Sequence, residues 1–395
     1  MSETATKKCY ERIIYLMGCA LNGITPNKGY LESVSQATLM ALANHHSVGA
    51  LVTYALEKAG LAPADAITEK NMAIRKSLLL DVERKAICAA LEARKIKYMP
   101  LKGIYIKDYY PAVGLRQMAD NDILFDRAYR AELKEIFLSR GYTVMQYDES
   151  NHDVYIKEPV YNYEMHVSLF DAYSRGALAE YFADPFAKAD GIEGTEYGYK
   201  MTDEDFYIYL KAHEYKHFTA GGTGLRAFSD TYVFLAKRGD ALDKEYLDAE
   251  LNKLGIAEYV SKIETIATTL LGRDFILSLP SGVSGVLSDE LAEIFDYICE
   301  SGSYGIIKHN VENNLERIAT EEGSLRRAKV KHIFNKMFPP MSYYKENRPF
   351  YYKHKYLIPF FLIKKLLRNL FVTPKSSFKY LFGVLKYKGK KEKTR

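Results

Sequence analysis

Residues 96–125 read IKYMPLKGIYIKDYYPAVGLRQMADNDILF, and the punctuation inside this stretch decides the fold. Residues 97–101 form a short extended run. Gly103 then opens an aromatic-rich segment to Tyr110, which reads as a short helix stopped by Pro111. Ile123, Leu124 and Phe125 are an apolar strand core with two acids, Asp120 and Asp122, just ahead of it. Outward from there, residues 127–140 read as a helix with Gly141 a natural end. Residues 142–147, 153–157 and 161–170 are β-rich, the last two joined as a hairpin across Glu158-Pro159. Strand, helix, strand, helix and then strands predict an α+β protein: a small mixed β-sheet with helices on either side.

The flanks are helical by period. Val34, Ala37, Thr38 and Ala41 keep i, i+3, i+4, i+7 spacing, and good helix formers fill 70–94. Pro26-Asn27 and residues 60–63 read as connections. Further on, Ile263, Ile266, Ala267 and Leu270 share one apolar face, as do Leu291, Ile294, Phe295 and Ile298. The chain divides into an N-terminal helical domain (1–95), an α/β core (96–172), a C-terminal helical domain (173–335) and a tail (336–395).

With 395 residues, 48% of them apolar and 27% charged, the chain is long enough for a large core and is not a disordered segment. Cys9, Cys19, Cys88 and Cys299 contain no C-x-x-C pair, which argues against a disulfide scaffold and fits a reducing cytoplasm. Glu11 and Arg12 interrupt the first candidate signal-peptide core, and no apolar run approaches the ~20 residues of a spanning helix. The net charge of +5 hides an asymmetry. Residues 331–395 carry 17 lysines and arginines against two acids, which leaves the rest of the chain at −10.

Asp120-Asn121-Asp122 is the sharpest chemical signal. Strand period two puts Asp120 and Asp122 on one face and Asn121 on the other. Two adjacent carboxylates repel unless a cation sits between them, and magnesium accepts one or two carboxylates while keeping room for phosphate oxygens. Glu164 supplies a third acid, with His166 two residues on and on the same face. The bland alternative is a solvated strand end or a helix cap. Upstream, Lys102-Gly103 runs from a strand end into a helix, geometry that presents backbone N–H groups and a lysine to phosphate. By itself it is equally an ordinary turn. Arg116 is placed to pair with the acids or with phosphate, or is simply a surface arginine.

Together, Leu101-Lys102-Gly103, Tyr110-Pro111, Arg116, Asp120, Asp122 and the later Glu164-x-His166 resemble an uncharacterised bacterial nucleotidyltransferase family of the polymerase-beta-type superfamily. The resemblance extends to the leading helices, an H-x-x-x-H helix, Leu225-Arg226 with Asp230, and Phe338-Pro339 before the basic tail. It implies a nucleotidyltransferase core in which Asp120, Asp122 and Glu164 are catalytic and bind two Mg²⁺ ions. Lys102, Gly103, Arg116, His166 and His217 would contact the nucleotide. The donor would be a nucleoside triphosphate, the acceptor an unidentified hydroxyl, and Glu164 or Asp122 the local base. One departure stands out: Lys102-Gly103 replaces the superfamily's usual Gly-Ser, which puts the triphosphate contact in question.

His213-Glu214-Tyr215-Lys216-His217 is also a literal H-E-x-x-H, the zinc-peptidase pattern. The extended form fails, with Ala220 and Thr223 at the expected Gly and His. The two histidines otherwise line the nucleotide cleft or pack structurally. The Gly221–Gly224 loop lacks a P-loop's Gly-Lys-Ser/Thr, and Arg226 with Asp230 reads as an i, i+4 salt bridge. Fifteen aromatics interleave the lysines of residues 331–395. Ile363, Leu366, Leu367, Leu370 and Phe378, Leu381, Phe382, Leu385 form helical stripes that suit an anionic membrane surface, a polyanion, or packing on the acidic body. Three functional classes follow: a cytoplasmic Mg²⁺-dependent transferase, peripheral at a membrane through its tail; a catalytically silent nucleotide-binding or interaction protein on the same fold; and a zinc peptidase.

Overall fold

The computed structural model describes residues 3–171, 176–279, 282–283 and 285–389. The boundary expected at 172–173 and the last six residues of the tail lie outside them. Five strands make the central sheet: β1 (Tyr98–Pro100), β2 (Asn121–Phe125), β3 (Thr143–Gln146), β4 (His152–Lys157) and β5 (Tyr161–His166). Their order is β1-β2-β5-β4-β3. β2 runs parallel to β5 and every other neighbouring pair is antiparallel, so the sheet is mixed. A parallel pair needs a crossover, and the Arg130–Ser139 helix between β2 and β3 provides one. That helix stops where Gly141 takes a left-handed φ of +80°. β5 is shorter than the 161–170 run because its neighbours run out: His166 already pairs with the first residue of β4 and the penultimate residue of β2.

Alternation along the strands separates two environments. On one face Ile123, Phe125, Tyr155, Tyr163 and Met165 are buried against Leu133, Ile136 and Phe137 of the crossover helix and against Leu80, Ile87 and Leu91. Phe137 stacks on Tyr155 with ring centroids 4.2 Å apart. Asn121 points into this face too, and its Nδ2 donates to the Leu80 carbonyl at 3.1 Å. Leu80, Ile87 and Leu91 come from the Ala64–Ala93 helix, so part of the N-terminal helical segment serves as a layer of the sheet domain.

The opposite face joins a larger core. Met99, Leu101 and Leu124 pack there with residues of the Glu3–Asn22, Gly49–Lys58, Asp203–Ala220, Arg226–Arg238 and Ala257–Leu271 helices. Helices from before and after the sheet therefore share one core. Polar groups fasten them: Asn22 Nδ2 donates to the Leu271 carbonyl at 2.8 Å, and buried His46 accepts from Leu225 N at 3.1 Å while its Nε2 lies 3.1 Å from the Cys299 carbonyl. The 173–335 segment also contains a short hairpin, β6 (Asp190–Gly191) with β7 (Tyr199–Lys200), that the sequence reading did not anticipate. It shields the β1 edge, since Tyr98 N donates to the Tyr197 carbonyl at 3.0 Å.

Candidate active site

The acids meet because of strand register. In the parallel β2–β5 pair Asp122 is the direct partner of Glu164, and Leu124 that of His166. Across β5, His152 of β4 faces His166. Period two then puts Asp122, Glu164, His166 and His152 on the face away from the aromatic core. One carboxylate oxygen each of Asp122 and Glu164 and one ring nitrogen of His166 lie within 4.8 Å of one another. His166 Nε2 is 2.8 Å from Asp122 Oδ1, and 3.7 Å from Glu164 Oε2.

Lys102 enters from the loop above β1. Its φ is +45°, a left-handed conformation that costs a non-glycine residue about 1 kcal/mol or more and needs a compensating contact. The contact is an ion pair: Nζ stands 2.7 Å from Asp122 Oδ1. Burial alone would raise the Asp122 carboxyl, but Lys102 and then His166 outweigh it and hold the group well below the usual carboxylate range. Glu164 has only longer approaches, to His166 Nε2 at 3.7 Å and His152 Nε2 at 3.9 Å. Burial, then the charges of Asp122 and Asp120, push it up to about 7. His152 and His166 both stay neutral more readily than a free histidine, chiefly through burial.

Asp120 lies just before β2 and outside the close cluster, yet inside the same field. Burial and Asp122 raise it to about 6, against the pull of Lys102, Arg226 and Arg116. The two arginines have exchanged the roles expected of them. Arg116 is buried and grips Asp230 with both ends, Nε to Oδ1 at 2.8 Å and Nη2 to Oδ2 at 2.9 Å, while Nη1 reaches Met118 Sδ. Tyr110 also donates to Asp230, at 2.7 Å. These contacts make Arg116 a buried strut between the 110–116 segment and the Arg226–Arg238 helix. The i, i+4 pair expected between Arg226 and Asp230 is corrected by the same contacts. Arg226 has no salt-bridge partner among the described residues; Nη1 donates to the Gln117 carbonyl at 3.4 Å, and the guanidinium feels the charges of Asp230 and, less, Asp120. Gly103 is buried for packing: a Cβ there would meet Arg116 Nη1 at 2.4 Å.

The Asp203–Ala220 helix closes the cleft from the other side. Thr202 caps it, accepting from Asp205 N at 3.1 Å. Burial above all holds the His213 pKa well below the ordinary value, and the charge of Lys102 adds to it, which puts the ring at the cleft near Lys102 and His166. Exposed His217 has Nε2 3.3 Å from His213 Nε2. Glu214 turns the other way. It is buried against Lys211 Nζ at 3.2 Å and accepts from Tyr259 OH at 2.7 Å. A peptidase glutamate must face the water on its metal; this one is locked in the core, and among the described residues the two histidines join no third ligand. The zinc-peptidase reading is dropped for that reason.

The donor set fits a hard divalent cation. Asp122 and Glu164 offer oxygen ligands side by side, with Asp120 adjacent, and burial, then mutual repulsion, keeps Glu164 and Asp120 partly protonated near neutrality. Site residues missed from sequence are His152, Lys216 and the free role of Arg226. His152 was reachable by counting back from the hairpin, since Lys157 pairs with Tyr161 and the ladder then sets His152 against His166.

No curated protein and no solved structure matches the chain. Residues 32–272, more than half of its length, match the family model described as an uncharacterised nucleotidyltransferase. The match takes in the whole sheet, the acids in register on β2 and β5, and the helix that faces them. The chain belongs to that uncharacterised nucleotidyltransferase family.

Proposed function

We propose that this protein moves a nucleoside monophosphate from a nucleoside triphosphate to a hydroxyl acceptor, with Asp120, Asp122 and Glu164 holding two Mg²⁺ ions. The observation that carries the reading is the direct pairing of Asp122 with Glu164 on parallel strands, beside Asp120. Bound magnesium supplies charge neutralisation on the triphosphate and acidity to the acceptor hydroxyl. The acceptor oxygen forms a bond to the α-phosphorus, the bond to the β-phosphate oxygen breaks, and pyrophosphate leaves. The two paired acids divide the labour by their environments. Asp122, held ionised by Lys102 and His166, stays an oxygen ligand. Glu164, which burial and the charges of Asp122 and Asp120 make the more basic of the two, accepts the hydroxyl proton. Arg226 takes the phosphate-binding place first expected of Arg116, since a guanidinium without a carboxylate suits phosphate oxygens. Lys102, His166 and His217 line the remaining walls. The enzyme works in the cytoplasm as a peripheral protein, with residues 336–395 on an anionic surface.

One observation favours a second reading. Lys102 Nζ already sits on Asp122, and a permanent ammonium counter-ion there would make a nucleotide-binding protein without metal chemistry. Calorimetry separates the two. Each of the four triphosphates, as a non-hydrolysable analogue, is titrated with and without Mg²⁺ into wild type and into Asp120→Asn/Asp122→Asn. Magnesium-dependent binding lost in the double variant supports the transferase. Metal-independent binding supports the silent protein, and no binding at all rejects both.

A further inference from the structure

We propose that the two last helices dock this protein on an anionic lipid bilayer, lying along its surface. The helices are Ile358–Phe371 and Pro374–Lys386. Along the first, Phe360, Ile363, Leu366, Leu367 and Leu370 are all exposed, between 48% and 68%. Along the second, Phe378, Leu381, Phe382 and Leu385 are exposed between 41% and 58%. Their spacing of three and four places each set on one helical face. These are the stripes for which packing on the acidic body was one sequence-level alternative, and the structure leaves them uncovered.

The second helix shows that the exposure is a second surface and not a failure to pack. Its Val384 is fully buried with Val311 and Leu315, and His332 lies 2.7 Å from the Tyr380 hydroxyl. With that face satisfied, Phe378, Leu381, Phe382 and Leu385 form an apolar face with no work to do inside the fold. An exposed apolar stripe of this extent marks an interaction surface.

Charge selects the partner. Lys364 and Arg368 flank the first stripe, and Lys375, Lys379 and Lys386 the second, by helical angle. Residues 331–395 carry +15, so a second copy would bring like charge to the same face. A bilayer with anionic headgroups takes both features at once: the stripe enters the headgroup boundary and the lysines stay with the phosphates. No described helix is long and apolar enough to cross the membrane, which leaves the surface position. The tail is also tied to the sheet domain, through an ion pair from Arg348 to Glu149 in the turn before β4, so docking would hold the acid cleft at a set orientation to the bilayer.

The inference deepens the peripheral placement proposed above and does not use the transfer chemistry, so vesicle binding and nucleotide binding fail separately. The test is co-sedimentation of the full chain with vesicles of phosphatidylcholine alone, or of phosphatidylcholine with phosphatidylserine. Expected is binding to the anionic vesicles, weakened by salt, and weakened at least about tenfold in Ile363→Glu/Leu370→Glu, which changes only exposed positions. A charge-only variant, Lys375→Gln/Lys379→Gln, should weaken the anionic preference with an unchanged thermal melt. Three outcomes overturn the proposal: no binding to anionic vesicles; binding that the glutamates leave intact; or a concentration-dependent dimer, or retention of single-stranded RNA without lipid binding, that those glutamates abolish.

Discussion

The two faces of the sheet are built by the same strands and differ in almost everything else. One buries Ile123, Phe125, Tyr155, Tyr163 and Met165 under two helices; the other sets Asp122, Glu164, His166 and His152 around a cleft. Neighbouring residues in sequence thus belong to opposite problems. Rigidity on the aromatic face is what allows like charges to be held together on the other, where burial and repulsion push Glu164 to about 7 and Asp120 to about 6. Scaffold and chemistry are interleaved at period two.

The contrast is broken most severely on the aromatic face. Phe137 stacks on Tyr155 and touches Tyr142 and Tyr163, so Phe137→Ala should cost about 3–5 kcal/mol in denaturant unfolding. Nucleotide affinity should fall only as the folded fraction falls. A comparable loss, about 3–5 kcal/mol, is expected for Arg116→Ala, because Asp230 is left as a buried unpaired charge. Arg226→Ala should behave in the opposite way: melting stays near wild type while affinity for a triphosphate analogue drops about tenfold, a charged hydrogen bond's worth. Equal effects from the two arginines would cancel the exchange of roles argued for them.

A smaller and opposite-signed effect should appear at Glu164. Its pKa is raised on folding from 4.5 to about 7, so its folded-state penalty is absent below about 4.5 and grows as pH rises through 7. Metal-free Glu164→Gln should therefore be more stable than wild type at pH 8, by about 2 kcal/mol, with the gap closing toward pH 4.5. Thermal melts at several pH values in a chelator check this. A variant that is less stable at pH 8 would mean that the acids are not in conflict.

The sheet and the acids were legible because their signals are local. Gly103, Pro111 and Gly141 punctuate the chain, and alternation alone separates Asn121 from Asp122. Glu164 and His166 followed from the same period. What could not be read is which distant groups meet. Asp230 had Arg226 four residues away on its own helix, and only the approach of the 110–116 segment gives it to Arg116 and Tyr110 instead. The pattern H-E-x-x-H was visible as well, but not that Glu214 turns into the core toward Lys211 and Tyr259. The tail stripes were legible as stripes; their exposure is a tertiary fact. The β6–β7 hairpin, two residues a strand, is too short to leave a periodic signal.

The central claim is that Asp122 and Glu164, paired in register, form a seat for a cation that carries the nucleotide. Titration of the full chain with Mn²⁺, followed by the paramagnetic signal of the free ion and repeated with a non-hydrolysable triphosphate present, tests it most directly. The account predicts binding in the wild type that the triphosphate strengthens. It also predicts at least about a tenfold loss in Asp122→Asn/Glu164→Gln, in protein that still melts cooperatively. Equal Mn²⁺ affinity in wild type and double variant, or none in either, would contradict it.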